Sequence, residues 1–132
     1  VYATKNNGPH LFAGTDIGFN VLARPMLYDA FHDVEIFREQ GQPDTDMVEQ
    51  TIVGNICESG DILAKDRQLP RIREDDIIAM LDAGAYGWVM ASTYNHRQRP
   101  AEVLIGADGR ARLIRRRETL DDLTATLVGE NS

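Results

Sequence analysis

Cys57 is the only cysteine in the chain, and Glu58 follows it directly. A thiol beside a carboxylate pairs a group that can give up a proton with one that can bind an ammonium. The same two residues also fit a strand end, one packed as a small hydrophobe and the other in water. Arg24 and Tyr28 stand four positions apart in Arg24-Pro25-Met26-Leu27-Tyr28. If Pro25 opens a helical turn, both project from one side, and a guanidinium with a phenol suits a carboxylate ligand. On spacing alone, a surface arginine beside a core tyrosine is the better fit. Tyr86 lies in Asp82-Ala-Gly84-Ala-Tyr86-Gly87. Small flanking residues let a backbone approach a ligand closely while the ring lies against it, or they make a tight turn around a core tyrosine. His10, His32 and His96 are too scattered for a zinc set, so no metal site is expected.

The elements that must position these side chains are mostly strands. Leu11-Phe12-Ala13, Val34–Phe37, Thr51-Ile52-Val53, Ile77–Leu81 and Trp88-Val89-Met90 are short apolar runs between turn residues. Ala101–Ile105, a link ending in Asp108-Gly109, and Arg110–Ile114 predict a hairpin. Val1-Tyr2-Ala3 also predicts strand. Helices are few: Pro25 opens one over Met26–Phe31, and Thr119 caps another, with Asp122 three residues on and Leu120, Leu123 and Leu127 along one face. The fold class is mainly β, a barrel or sandwich with peripheral short helices, ending in a frayed Gly-Glu-Asn-Ser tail at 129–132.

A chain of 132 residues is one domain that can bury a core without staples. A lone cysteine rules out an internal disulfide framework and points to the cytosol. No signal peptide is expected, and no apolar run approaches the ~18 residues of a membrane helix. The net charge of −7, from 14 basic and 21 acidic residues, argues against a nucleic-acid binder. The basic run Arg110–Arg117 reads as the solvated face of a strand.

Taken in order, GTDIGFNVLARPMLYDAFH (14–32), VGNICESGDILAKDRQLP (53–70) and DDIIAMLDAGAYGWVMASTYNHRQRPAEVLI (75–105) resemble the diaminopimelate decarboxylase family. That family belongs to the fold-type III, pyridoxal-phosphate-dependent amino-acid decarboxylases. The resemblance runs from about Asp16 to Ile105. It implies an alanine racemase C-terminal-like β-domain over 1–132, with the cofactor held mainly by an N-terminal (β/α) barrel that this chain lacks. The lysine that carries the cofactor and the glycine-rich phosphate loop are absent too; the only lysines are Lys5 and Lys65. The start at Val1 agrees with a segment cut from a longer protein. Alone, the chain is expected to be inactive.

The resemblance also implies roles. Cys57 would give a proton to the carbon that has lost CO₂, and Glu58 would bind the substrate's distal ammonium, both in the site of the neighbouring subunit of a homodimer. Arg24 and Tyr28 would hold the distal carboxylate, and Tyr86 would touch both cofactor and substrate. Meso-diaminopimelate offers one charge to Arg24 and one to Glu58, whereas ornithine or lysine would leave Arg24 facing a like charge. Decarboxylation of a related amino acid is the alternative within this class. A non-catalytic module that dimerises or binds a separate barrel chain is the alternative outside it.

Overall fold

Short apolar runs build most of the strands. A computed structural model describes residues 1–39, 41 and 45–129. In chain order its strands are β1 (Ala3–Asn7), β2 (His10–Gly14), β3 (Val34–Phe37), β4 (Met47–Val53), β5 (Ile62–Pro70), β6 (Ile77–Met80), β7 (Glu102–Ile105) and β8 (Ala111–Arg115). One-turn helices α1 (Arg24–Tyr28), α2 (Gly87–Met90) and α3 (Leu120–Thr124) lie between and after them. The expected mainly-β class with few short helices is what forms.

One sheet runs β1-β2-β4-β5, antiparallel except for its central β2–β4 pair. Parallel pairs are stable where both faces are covered. Here Ala13 and Ile52 are register partners in that pair and are 1% and 0% exposed. Leu22, Leu63, Ala64, Leu69 and Ile72 complete the core. The antiparallel β3–β6 ribbon covers it with Val34, Ile36, Ile78 and Met80. The predicted hairpin is the β7–β8 pair. Trp88 fastens it to the rest, because Arg99 and Arg115 stack on the indole at 4.3 and 3.6 Å from its centroid. Those arginines pair in turn with Glu118 and Glu102. Of the basic run, Arg115 pairs with Glu102 and Arg116 with Asp122.

Two expectations are corrected. Trp88-Val89-Met90 forms the helical turn α2, with Gly87 N–H bonded to Ala83 O and Met90 N–H to Tyr86 O. A three-residue apolar run has no period of its own, so it takes whichever backbone the flanking turn residues start. The other correction is β5, the longest strand, whose middle reads Lys65-Asp66-Arg67-Gln68 and carries no strand signal. It is an edge strand, where exposed polar residues are tolerated and guard against further pairing. Asp66 takes a φ of 47° beside a break in the β4–β5 register, and its amide donates to Thr51 Oγ1 at 3.1 Å.

The two expected helix starts are observed, and their ends differ. α1 carries Pro25 in its first turn but stops at Tyr28, short of Phe31, because Asp29 turns left-handed at φ 52°. α3 has the capping box of Thr119 and Asp122, yet it ends at Thr124, and Leu120 and Leu127 are exposed. Of the tail expected to fray, residues 130–132 lie outside the described residues. No described helix is long and apolar enough to cross a membrane.

One buried ion pair ties the ribbon to the loop before β6. Asp76, 1% exposed, accepts from Arg38 Nε at 2.7 Å, Arg38 Nη2 at 2.8 Å and Arg73 N at 2.8 Å. The hydrogen bonds from Arg38 hold its carboxyl below the usual 3.8. Its stabilisation is therefore complete above that unfolded-state value and is lost as pH falls through the lower folded value. Denaturant titrations at a series of pH values should show stability falling below about pH 4. Asp76→Asn should remove that part of the acid limb. An acid limb unchanged by the substitution would place the effect elsewhere.

Candidate active site

Two loops converge on one carboxylate. Asp61, 4% exposed, accepts from Phe19 N at 2.6 Å and Ile56 N at 2.7 Å. Its backbone closes the 54–61 loop, since Gly54 N donates to Asp61 O and Asp61 N donates to Glu58 O. The approach is close enough that only glycine fits beside it. A Cβ at Gly54 would stand 2.2 Å from Asp61 Oδ2 and 2.4 Å from Gly18 Cα. A second tie crosses the same gap, from Asn55 Nδ2 to Asp16 O at 2.6 Å. Asp61 therefore does for this loop what a strand pairing does elsewhere, and it presents Cys57 and Glu58 outward.

Both of those side chains are exposed. Cys57 thus lies outside the core of this chain. A third segment, the 3₁₀ turn Tyr94–His96, meets them: Tyr94 Oη donates to Glu58 Oε1, and Asn95 Nδ2 donates to Cys57 Sγ at 3.4 Å. The phenol proton of Tyr94 is held above its usual range by that bond to Glu58. Behind it, the Phe19 ring lies 5.1 Å from the Tyr94 ring, and Ser92 N donates to Asn20 O.

The remaining candidates come from two other elements. The Arg24 guanidinium sits 5.2 Å from the centroid of the Tyr86 ring. Helix α1 and the 54–61 loop also adjoin, because a Cβ at Gly60 would come within 3.3 Å of Met26 Cγ. Tyr86 is 55% exposed, and around Gly84 and Gly87 a Cβ would meet nothing within 4 Å. The Tyr86 ring is thus largely exposed, with Arg24 over one part of it. Tyr28 does not join this group. It is 66% exposed and has no hydrogen-bond or ring partner among the described residues. The structure thus brings Cys57 and Glu58 together with Tyr94 and Asn95, and Arg24 with Tyr86. Tyr94, Asn95 and Asp61 had no role in the sequence reading, since no spacing links 57–61 to 94–95.

A family model for the pyridoxal-dependent decarboxylase, C-terminal sheet domain, matches residues 1–84. The chain belongs to the pyridoxal-dependent decarboxylases. Among relatives, it is 47% identical over 121 residues to a diaminopimelate decarboxylase of Methanothermobacter thermautotrophicus, covering 91% of this chain and 27% of that protein. The crystal structure of diaminopimelate decarboxylase from M. jannaschi superposes with a TM-score of 0.88 at 34% identity, over 99% of this chain and 29% of the other. The enzyme from Helicobacter pylori, complexed with L-lysine, gives 0.82 at 36%, over 95% and 29%. The chain thus spans between a quarter and a third of the length of these decarboxylases.

The decarboxylase family implies pyridoxal phosphate, and the residues here fit one wall of such a site. An exposed phenol bordered by glycines can lie against a flat ring, and Cys57 with Glu58 can face a substrate. Lys5 and Lys65 sit on β1 and β5, outside the 54–61 loop and the 82–87 turn. Covalent attachment would have to come from another part of the protein.

Proposed function

We propose that this chain is the C-terminal domain of a pyridoxal-phosphate-dependent decarboxylase that converts meso-2,6-diaminopimelate to L-lysine and CO₂ in the cytosol. The observation that carries the reading is the outward display of Cys57 and Glu58 on a loop knotted by Asp61. Relatives named diaminopimelate decarboxylase at 47% identity support it. In this reading residues 1–132 supply the substrate-binding and dimer-forming part, and a (β/α) barrel elsewhere in the protein holds the cofactor. When bound, that cofactor supplies the electron sink for the charge left as CO₂ departs.

The chain's own residues bind, orient and protonate. Glu58, with one oxygen engaged by a phenol, presents the other to the substrate's distal ammonium. Arg24 grips the distal carboxylate through two parallel hydrogen bonds, aided by Tyr28, and Tyr86 lies against both ligand and cofactor. Cys57 delivers its proton to the carbon that has lost CO₂, in the active site of the second subunit. Both Cys57 and Glu58 are exposed, as residues reaching across an interface must be in one protomer alone.

Arg24 tests the substrate assignment. In the full-length protein, Arg24→Ala should lower kcat/KM for diaminopimelate by about 1.5–3 kcal/mol, roughly 10- to 150-fold. Arg24→Lys should recover only part, because a point charge cannot match the bidentate grip. An amino acid without a distal carboxylate should lose far less. Equal losses on both substrates would make Arg24 a structural support for Tyr86. Absence of CO₂ release from diaminopimelate by the unaltered full-length protein would overturn the reading itself.

A further inference from the structure

We infer that Tyr94 and Asn95 are positioning residues that aim Glu58 and Cys57, each by one hydrogen bond that occupies the near side of its target and leaves the far side free. The inference rests on the function proposed above and assigns new residues to the same site. Two consecutive donors meet two consecutive targets from a different part of the chain, 36 and 38 residues away. One such contact at a surface carries little weight by itself, since water competes for both of its groups. A matched pair held on a strained turn is different. Asn95 and His96 both take left-handed backbone, φ 55° and 53°, which asparagine tolerates better than most residues and histidine adopts at a cost.

The chemistry of each donor suits its target. Tyr94 engages Glu58 Oε1, and Oε2 has no hydrogen-bond partner among the described residues. An arginine or lysine in its place would neutralise the carboxylate and remove its attraction for an ammonium. The phenol is neutral, and the bond to Glu58 keeps its proton in place beyond the usual tyrosine range. Phe19, at 5.1 Å, backs the ring and fixes its direction. Asn95 donates to Cys57 Sγ, which makes sulfur an acceptor on that side. The thiol proton is then left to point away, toward whatever stands in front of the loop. When it transfers to carbon, the S–H bond breaks and a C–H bond forms; the electron pair stays on sulfur, and solvent returns the proton afterwards.

The test uses the full-length enzyme in D₂O with diaminopimelate. Tyr94→Phe keeps the ring against Phe19 and removes only the donor. It should raise KM about 3- to 10-fold, with a smaller change in kcat. Asn95→Gly keeps the left-handed backbone and removes only the side chain. It should lower kcat with little change in KM, and the product should carry deuterium in mixed configuration at the new C–H centre, where the unaltered enzyme gives one. A merely structural turn would shift both parameters together in both variants and leave the configuration single, and that outcome overturns the inference. Difference absorbance titration adds a readout independent of turnover. Glu58→Gln should lower the pH at which one phenol ionises, and the same change made on a Tyr94→Phe background should do nothing. If the unaltered enzyme fails to decarboxylate, the proposed function falls, and this titration still decides the Tyr94–Glu58 contact: no shift on Glu58→Gln overturns it.

Discussion

Cys57→Ala and Cys57→Ser should each lower kcat of the full-length enzyme by about 10²- to 10⁴-fold, the contribution of a positioned acid. Serine keeps the size and offers a far weaker acid; alanine removes the proton altogether. Thermal stability should barely move in either variant. The thiol is exposed, so its truncation opens no cavity, and the loop that carries it is held by Asp61. A packing residue would give the reverse pattern, with stability lost and kcat kept. The cross-subunit arrangement has its own check. Mixing Cys57→Ala enzyme with enzyme lacking the cofactor-bearing lysine should restore part of the activity, because one site of the heterodimer then has both groups. If subunits exchange and no activity returns, Cys57 serves the site of its own chain.

Asp61→Ala should cost about 2–6 kcal/mol of folding stability, from two buried amides each left without an acceptor at about 1–3 kcal/mol. The orphaned donors are Phe19 N and Ile56 N, on two different loops. Activity should fall as well, because the turn that aims Cys57 and Glu58 loses its shape. Gly54→Ala should act in the same direction by another route. Its new Cβ would stand 2.2 Å from Asp61 Oδ2 and 2.4 Å from backbone at Gly18, so either the carboxylate or a loop must give way. Urea unfolding of both variants measures the loss. An unchanged midpoint for Asp61→Ala would show that water replaces the carboxylate, and the loop would then need another anchor.

Much of the fold was legible because apolar runs between turn residues have few ways to bury themselves. Val34–Phe37, Thr51–Val53 and the 101–114 hairpin become β3, part of β4 and the β7–β8 pair. Where the pattern misled, tertiary context outweighed it. β5 is a strand because β4 offers it a ladder along one side, although its own middle is all polar. Trp88–Met90 is a helical turn whose indole is clasped by two arginines from beyond it in the chain. Arg24, placed with Tyr28 by helical spacing, also lies beside Tyr86. Its partner stands 62 positions away, and no helical period reports on that distance.

The sequence by itself determined the class and the inventory: a β-rich domain, a single thiol beside a carboxylate, and ordered motifs that resemble the decarboxylases. These are local properties, written in neighbouring residue types. Only the tertiary structure decided that Cys57 faces solvent, that Asp61 is the knot behind it, and that Tyr94 and Asn95 reach its loop. A hydrogen bond depends on a few tenths of an ångström and on direction. Those are set when three loops distant in sequence are drawn together by the core beneath them. Nothing in the order of residues states which side chains will then be in reach.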